Sequence, residues 1–381
     1  MKFLKKCTPF MLAVMFAVQP AQVFANTSSG QSGTTARTVA NNTATNLTVR
    51  EAARRASDNS SAIRNTQDNI VASREQEQRM RNDMVQASDN LSAFLNASVA
   101  LMQSQMQRAL ADDSINVQRD TIHFLVTNHF ANIVRAEKAL ELYDANLAMA
   151  ERDIIVMEVM VDLGLESQAS LNLARANFER TVNERVNLMN SIDEGHRELN
   201  RLMGVPLDRR HNLIFDIEFQ ELGEVNLSRY ISNHSRNNMN VRQANANLDV
   251  AQLQLDNHMT PIDMQTGIIL PGGVSRDERI VGVNVAARAV QDARSDTESN
   301  VVSVHTQIRN IEALINSAES QLESMQVELN ILNTRLALGQ ITPIEVDRYR
   351  LGMMELEEQI RQLKVSHSLT VMQLRNPNIL F

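Results

Sequence analysis

The chain has 381 residues, a formal net charge of −8, 12 Gly, 7 Pro, 3 Tyr and no Trp. Glycine far below its usual share of roughly 7% points to few turns and long elements. An acidic chain lacks the basic footprint of nucleic-acid binding, and without Trp it cannot supply the aromatic girdles of a membrane β-barrel.

Lys2, Lys5 and Lys6 form a positive opening, followed by an apolar stretch from Phe10 to Val18 and by Val23-Phe24-Ala25. Small residues three and one before a cut after Ala25 fit a signal-peptidase site. The apolar stretch is far short of the ~20 residues that span a bilayer as a helix. Residues 1–25 are therefore predicted to be a removed signal peptide, which sends the mature chain to the cell envelope. They hold three lysines and no acid, so their removal takes the charge from −8 to −11. Cys7, the single cysteine, precedes the apolar stretch, whereas a lipidated cysteine would follow it. The mature chain thus has no thiol, no disulfide and no cysteine metal site.

Residues 26–46 (NTSSGQSGTTARTVANNTATN) are small, polar and aperiodic, and read as a disordered tether. From Leu47 to Ile70 the pattern is helical, with Thr48 and Glu51 spaced as a capping box. Residues 71–135 contain no Pro or Gly and keep helical composition, as in Leu91 to Leu110. Leu140, Tyr143, Leu147, Ala150, Ile154, Met157 and Val161 then step by three and four toward Leu163-Gly164, with Leu171, Ala174 and Phe178 beyond it. Gly204-Val205-Pro206 has the order of a helix stop. Leu213 to Phe219 (LIFDIEF) alternates as a short strand or extended connector, and Met259 to Asn284 is irregular, with Thr260-Pro261 and the turn Pro271-Gly272-Gly273.

The longest heptad run follows: Ile308, Ile311, Ile315, Ala318, Leu322, Met325, Leu329, Leu332 and Leu336. After Leu338-Gly339 a second run passes through Val346, Tyr349, Met353, Leu356, Ile360, Leu363, His367, Thr370 and Leu374. Such a seam packs against partner helices by knobs into holes, and one polar residue on it, here His367, can fix register. Two helices joined at a glycine make an antiparallel hairpin, with arms of roughly 45–70 Å at ~1.5 Å per residue. An offset of 175 carries Leu140 to Ile315, Gly164 to Gly339 and Leu171 to Val346, and since 175 is a multiple of seven it keeps heptad register. Val49, Ile63 and Arg64 likewise match Leu227, Val241 and Arg242 at an offset of 178. Self-similarity of this length marks a duplication. The expected layout is a first helical-hairpin repeat over 47–206, a connector over 207–224, a second repeat over 225–376 and a tail over 377–381. The fold class is all-α, built from long antiparallel coiled-coil hairpins in two tandem repeats, with little or no β-barrel.

No chemical site emerges. The eight histidines are scattered, with neither HExxH nor another zinc spacing. Gly272-Gly273 lacks the preceding strand and following Gly-Lys-Ser/Thr of a phosphate loop. The acids lie at helical-surface spacings beside Arg and Lys, and the methionines suit adaptable packing in seams. Neither catalysis nor a cofactor is expected. The terminal Phe381 reads as a frayed tail rather than the end of a barrel strand, because Pro377 interrupts the stretch before it.

The two turns carry a family resemblance. Leu163-Gly164-Leu165-Glu166-Ser167 with Ala169-Ser170-Leu171, and Leu338-Gly339-Gln340-Ile341-Thr342 with Ile344-Glu345-Val346, resemble the hairpin tips of TolC-type outer-membrane efflux proteins. Ala139 to Ala150 (ALELYDANLAMA), Leu199 to Leu207 (LNRLMGVPL) and Leu47 to Ala52 (LTVREA) are similar to other stretches of that family, and the likeness covers most of residues 47–376. It implies a homotrimer whose twelve arms form a tapered periplasmic tube reaching the outer membrane. The tips would face the cell and meet a membrane-fusion adaptor joined to an inner-membrane pump. Carried over by position, Leu163, Gly164, Leu165, Ser167, Leu338, Gly339, Gln340, Ile341 and Thr342 would form the adaptor contact. Glu345 matches an acid that lines the aperture in some relatives, with Asp347 beside it; the position three beyond Glu345 is Arg348, a departure from the acidic pattern. A second departure is the barrel: relatives place β-hairpins where residues 71–135 stay helical, and only Gly267 to Val285 has strand character in the second half. The function implied is a duct component of a tripartite efflux or type I-like secretion system. The competing expectation is a non-conducting coiled-coil spacer of the envelope.

Overall fold

A computed structural model of the protein describes residues 45–86, 91–215, 219–258 and 274–379. The signal peptide, residues 26–44 of the tether, Asp216 to Glu218 of the connector, Thr260-Pro261, the Pro271-Gly272-Gly273 turn and Phe381 lie outside the described residues. The described elements in chain order are β1 (Thr45–Thr48), α1 (Val49–Asn59), α2 (Ser61–Gln86), α3 (Leu91–Asp162), α4 (Gln168–Met203), β2 (His211–Ile214), α5 (Leu227–Asn237), α6 (Met239–Asp256), α7 (Arg276–Ala337) and α8 (Pro343–Arg375).

The architecture is all-α with long antiparallel hairpins. α3 has 72 residues and α7 has 62, so at 1.5 Å per residue they run about 110 and about 90 Å. Each returns through a shorter partner, α4 or α8, and each also carries a second antiparallel neighbour at its other end, α2 on α3 and α6 on α7. α3 packs in turn on α8 and α6, joining the two sets of helices. The sets correspond closely. The first residues of α1 and α2, Val49 and Ser61, map onto Leu227 and Met239, the first residues of α5 and α6, by the same shift that pairs Arg64 with Arg242. The shift that pairs Gly164 with Gly339 carries Gln168, which opens α4, onto Pro343, which opens α8.

Two strands accompany the helices among the described residues. β1 and β2 pair in parallel, with Thr45 opposite His211 and Thr48 opposite Ile214. The composition that suggests a tether up to residue 46 therefore overreaches: Thr45 and Asn46 are in β1, and the Asn212 amide donates to Asn46 Oδ1 at 2.8 Å. Arg276 to Val285 also differs from its strand-like and irregular reading, because it opens α7. Ser275 and Glu278 exchange the two hydrogen bonds of a capping box there, which starts a helix wherever the following residues continue it. The Thr48 and Glu51 spacing is only half fulfilled. Thr48 accepts the Glu51 N–H at 3.3 Å, but the Glu51 carboxylate turns to Arg54 and Arg55 at 2.9 Å, two cations within one turn.

Burial explains why the hairpins hold. An isolated helix is marginal in water and owes its stability to a packed apolar face. Val126, Phe130, Ile133, Leu199 and Met203 of α3 and α4 close over Leu47 of β1 and the small face Ala52, Ala53 and Ala56 of α1. In the second set, Val301, Val304, Ile308, Val371 and Leu374 are covered by Leu222, Leu227, Tyr230 and Ile231. The duplication pairs Val126 with Val301, Ile133 with Ile308 and Leu199 with Leu374, and all six are fully or almost fully buried. Further along, Ala318, Leu356 and Ile360 with Leu322 and Met325 form the seam of α7 on α8.

In residues 71–86 and 91–135, where the family resemblance sets β-hairpins in the first half, the chain is helical. α2 is fastened to α3 by the Arg108 Nε contact to the buried Glu77 at 2.8 Å and by Gln118 donating to Thr66 Oγ1 at 3.1 Å. No described helix is long and apolar enough to cross a membrane.

Phe130 fills the space left by three alanines and has no exposed surface. Phe130→Ala should cost about 3–5 kcal/mol, read as a lowered urea midpoint at unchanged slope.

Candidate functional site: the two hairpin tips

Both long helices end on the same backbone device. Gly164 has φ +73° and Gly339 φ +70°, the left-handed region that L side chains rarely adopt. The Leu165 N–H reaches back to Met160 O at 2.8 Å and the Gly164 N–H to Val161 O at 2.9 Å. In the second tip, Gln340 N–H binds Arg335 O and Gly339 N–H binds Leu336 O, both at 2.9 Å. This pair of bonds satisfies the carbonyls that a helix end leaves open.

The return helices start with caps. Ser167 is the N-cap of α4 and accepts the Ser170 N–H at 3.1 Å. Thr342 begins α8, Pro343 sits in its first turn, and Glu345 accepts both the Thr342 N–H at 2.7 Å and the Thr342 hydroxyl at 2.9 Å. These bonds hold the Glu345 carboxyl below the usual range, the backbone one foremost, with Arg348 adding to them.

The tips present apolar side chains to solvent. Leu163 is 68%, Leu165 70% and Leu338 67% exposed. Ser167, Gln340 and Thr342 are also exposed, while Ile341 is half-buried. A Cβ added at Gly164 or Gly339 would meet nothing within 4 Å. The glycines are therefore required by backbone conformation alone.

Two ion pairs tie the hairpins together just behind the tips. Arg152 Nη1 of α3 lies 2.5 Å from Asp347 Oδ2 of α8, and Arg348 Nη2 of α8 lies 2.6 Å from Asp153 Oδ1 of α3. The order Arg-Asp at 152–153 meets Asp-Arg at 347–348, so each cation faces an anion. Asp347 also accepts from Arg350 at 3.4 Å. This placement puts both tips at one end of the chain's helical body. Between the hairpins lies a groove of about 540 Å³, lined by Asp153, Val156, Met160, Ile344, Glu345 and Arg348 among others. The two acids expected at an aperture are thus both engaged, Glu345 as a helix cap and Asp347 as the partner of Arg152. Sequence alone points to Glu345, Asp347 and Arg348 but not to Arg152 or Asp153; the mirrored dipeptides are the available signal.

No three His, Cys, Asp or Glu side chains group as a metal cage among the described residues. Most buried polar groups are tied into the packing. His367, expected on the seam, is indeed buried there, and its Nε2 lies 3.0 Å from Glu312 Oε1. Glu312 also accepts the Leu222 N–H at 2.7 Å and Arg309 at 2.8 Å, which holds its carboxyl low against the opposing effect of burial.

This fold is shared with solved structures of outer-membrane channel proteins. The chain matches the CusC structure, solved in a study of transmembrane channel formation, at a TM-score of 0.62 and 10% identity, over 87% of this chain and 91% of that one. It matches the outer membrane protein VceC of Vibrio cholerae at 0.60 and 13%, over 86% and 95%. For the Campylobacter jejuni CmeC outer membrane channel the values are 0.60 and 11%, over 87% and 85%. No protein-family model matches the sequence, and no curated protein does.

A positive φ costs an L residue roughly 1–2 kcal/mol. Gly164→Ala and Gly339→Ala should therefore each lower stability by about that much with no steric component, measured as additive shifts in thermal unfolding. The exposed pairs are each worth only ~0–1 kcal/mol. Arg152→Ala combined with Arg348→Ala should leave the melting temperature nearly unchanged yet broaden the distance between spin labels placed at positions 163 and 338. An unchanged distance distribution would remove the tie.

Proposed function

We propose that the chain is a divergent TolC-type duct component: an exported homotrimer whose hairpins line a passage through the cell envelope toward the outer membrane. The observation that supports this most directly is the pair of glycine-turned, leucine-bearing tips at one end of a fold shared with outer-membrane channels. Exposed leucines on a pre-formed turn suit a helical partner, since burying each side chain gains ~1.5–3 kcal/mol. In this reading Leu163, Leu165, Leu338 and Ile341 meet the hairpins of a membrane-fusion adaptor. Ser167, Gln340 and Thr342 flank them, and the adaptor links the duct to an inner-membrane pump. The role is passage without chemistry, and the pump selects what is exported.

The signal peptide over residues 1–25 and the trimer belong to the same proposal, as do the repeat boundaries 47–206 and 225–376. Glu345 and Asp347 sit near the tip end, where a trimer would narrow. Their bonds to Thr342 and Arg152 make them structural parts of that rim.

The test combines assembly with export. Light scattering and negative-stain microscopy of residues 26–381 from the membrane fraction should show a hollow trimer. Leu163→Asp with Leu338→Asp should abolish export while trimer mass and protein level stay at the unsubstituted values. A monomer, or a solid rod in the soluble envelope fraction, would leave the spacer as the better account.

A further inference from the structure

His211 opens β2 opposite Thr45 and is 6% exposed. Its Nε2 lies 3.0 Å from Asn200 Oδ1. The Asn200 amide nitrogen is committed to donating, to Leu207 O at 3.3 Å and Arg209 O at 2.7 Å, so the oxygen is its accepting end. His211 must therefore donate through Nε2–H, which leaves Nδ1 as the bare lone pair of a neutral ring. That nitrogen is buried and has no partner. A second proton can go only there, where it becomes a buried donor facing no acceptor.

The charges around the ring oppose that proton. Burial is the largest influence holding His211 below its ordinary value of 6.5, followed by Arg209 beside it, His196 on α4 and Arg55 on α1. Three acids of the packed elements are paired: Glu51 with Arg54 and Arg55, Asp193 with Arg210, and Glu198 with Arg201. Glu137 of α3 stands 3.7 Å from His196 rather than beside His211.

The second half answers the same problem differently. The shift that carries Leu140 to Ile315 also carries Glu137 to Glu312, so the two glutamates occupy equivalent positions. Glu312 is buried against His367 Nε2 at 3.0 Å, whereas Glu137 is 46% exposed. Glu312 thus places an anion against His367 Nε2, whereas the charges acting on His211 are those of Arg209, His196 and Arg55; the Nδ1 of both rings is buried without a partner.

We propose that the β1–β2 pair is an acid-released latch, which protonation of His211 opens. Opening withdraws β1, and with it Leu47, from the core over α1, α3 and α4. A ring whose closed-state proton affinity is lowered leaves the latch at full strength above about pH 6.5. The latch weakens as pH falls through the lowered value, by up to tenfold in its opening constant per pH unit.

Hydrogen exchange on the full chain tests this, at about pH 7.5 and about pH 5.5 and corrected for intrinsic rates. Protection at residues 45–48 and 211–214 should fall on acidification, by up to about tenfold. In His211→Gln, which cannot take the proton, the pH dependence should vanish. Equal latch protection at both pH values would overturn the proposal, as would an acid response that survives in His211→Gln. Should that variant fail to fold, the His211 ring is titrated by NMR in the unsubstituted chain. Titration below 6.5 that tracks latch opening supports the proposal, and titration at or above 6.5 refutes it.

Discussion

Everything in this protomer depends on helices far longer than a globular core needs finding another helix to lie against. A 72-residue helix has no stability of its own to match its length; it persists by burying a stripe along a neighbour. Each long helix here meets a different partner at each end, α2 then α4 for α3, and α6 then α8 for α7. The far ends of both long helices reverse at a glycine that takes the left-handed conformation. Gly164 and Gly339 do so, and their helix-closing bonds make the reversal sharp enough for the return helix to meet the same seam. The shared fold with outer-membrane channels follows from this one solution used twice.

The two uses are not identical, and the differences are compensated locally. Ala52, Ala53 and Ala56 of α1 correspond to Tyr230, Ile231 and His234 of α5. The small face lies in the cluster that holds Phe130, while the position equivalent to Phe130 in the second half is His305. The first half packs a large Phe130 against small alanines, and the second sets larger Tyr230 and Ile231 on Val301, Val304 and Ile308. The same freedom explains 10–13% identity to proteins of shared fold: a seam specifies apolar character and spacing, and many residues meet both.

Much of this is legible in the chain because heptad spacing, the glycine turns and the duplication are periodic or local signals. Ile308 to Leu336 can hardly be anything but a seam, and Gly164 and Gly339 stand where the periodicity breaks. What stays hidden is contact between distant residues with no period. Parallel pairing of Thr45–Thr48 with His211–Ile214 joins segments that lie on either side of the whole first hairpin, so each short strand reads as tether or connector. His367 is expected on the seam, but nothing in its own turn announces Glu312. At the tips, Glu345 stands three residues after Thr342, the spacing of a capping box, and the Thr342 bonds show that box formed.

The tip end sets weak forces that hold it together beside a stronger one left unused. The Arg152–Asp347 and Arg348–Asp153 pairs are solvent-exposed, and such pairs contribute about 0–1 kcal/mol each. Leu163, Leu165 and Leu338 project into water, and full burial of a leucine is worth roughly 1.5–3 kcal/mol. A partner that covered all three would release more free energy than breaking both pairs costs. The tips are thus anchored firmly along their helices by glycine turns and caps, but only lightly to one another. Such a rim holds its turns by local bonds while leaving its two hairpins loosely tied.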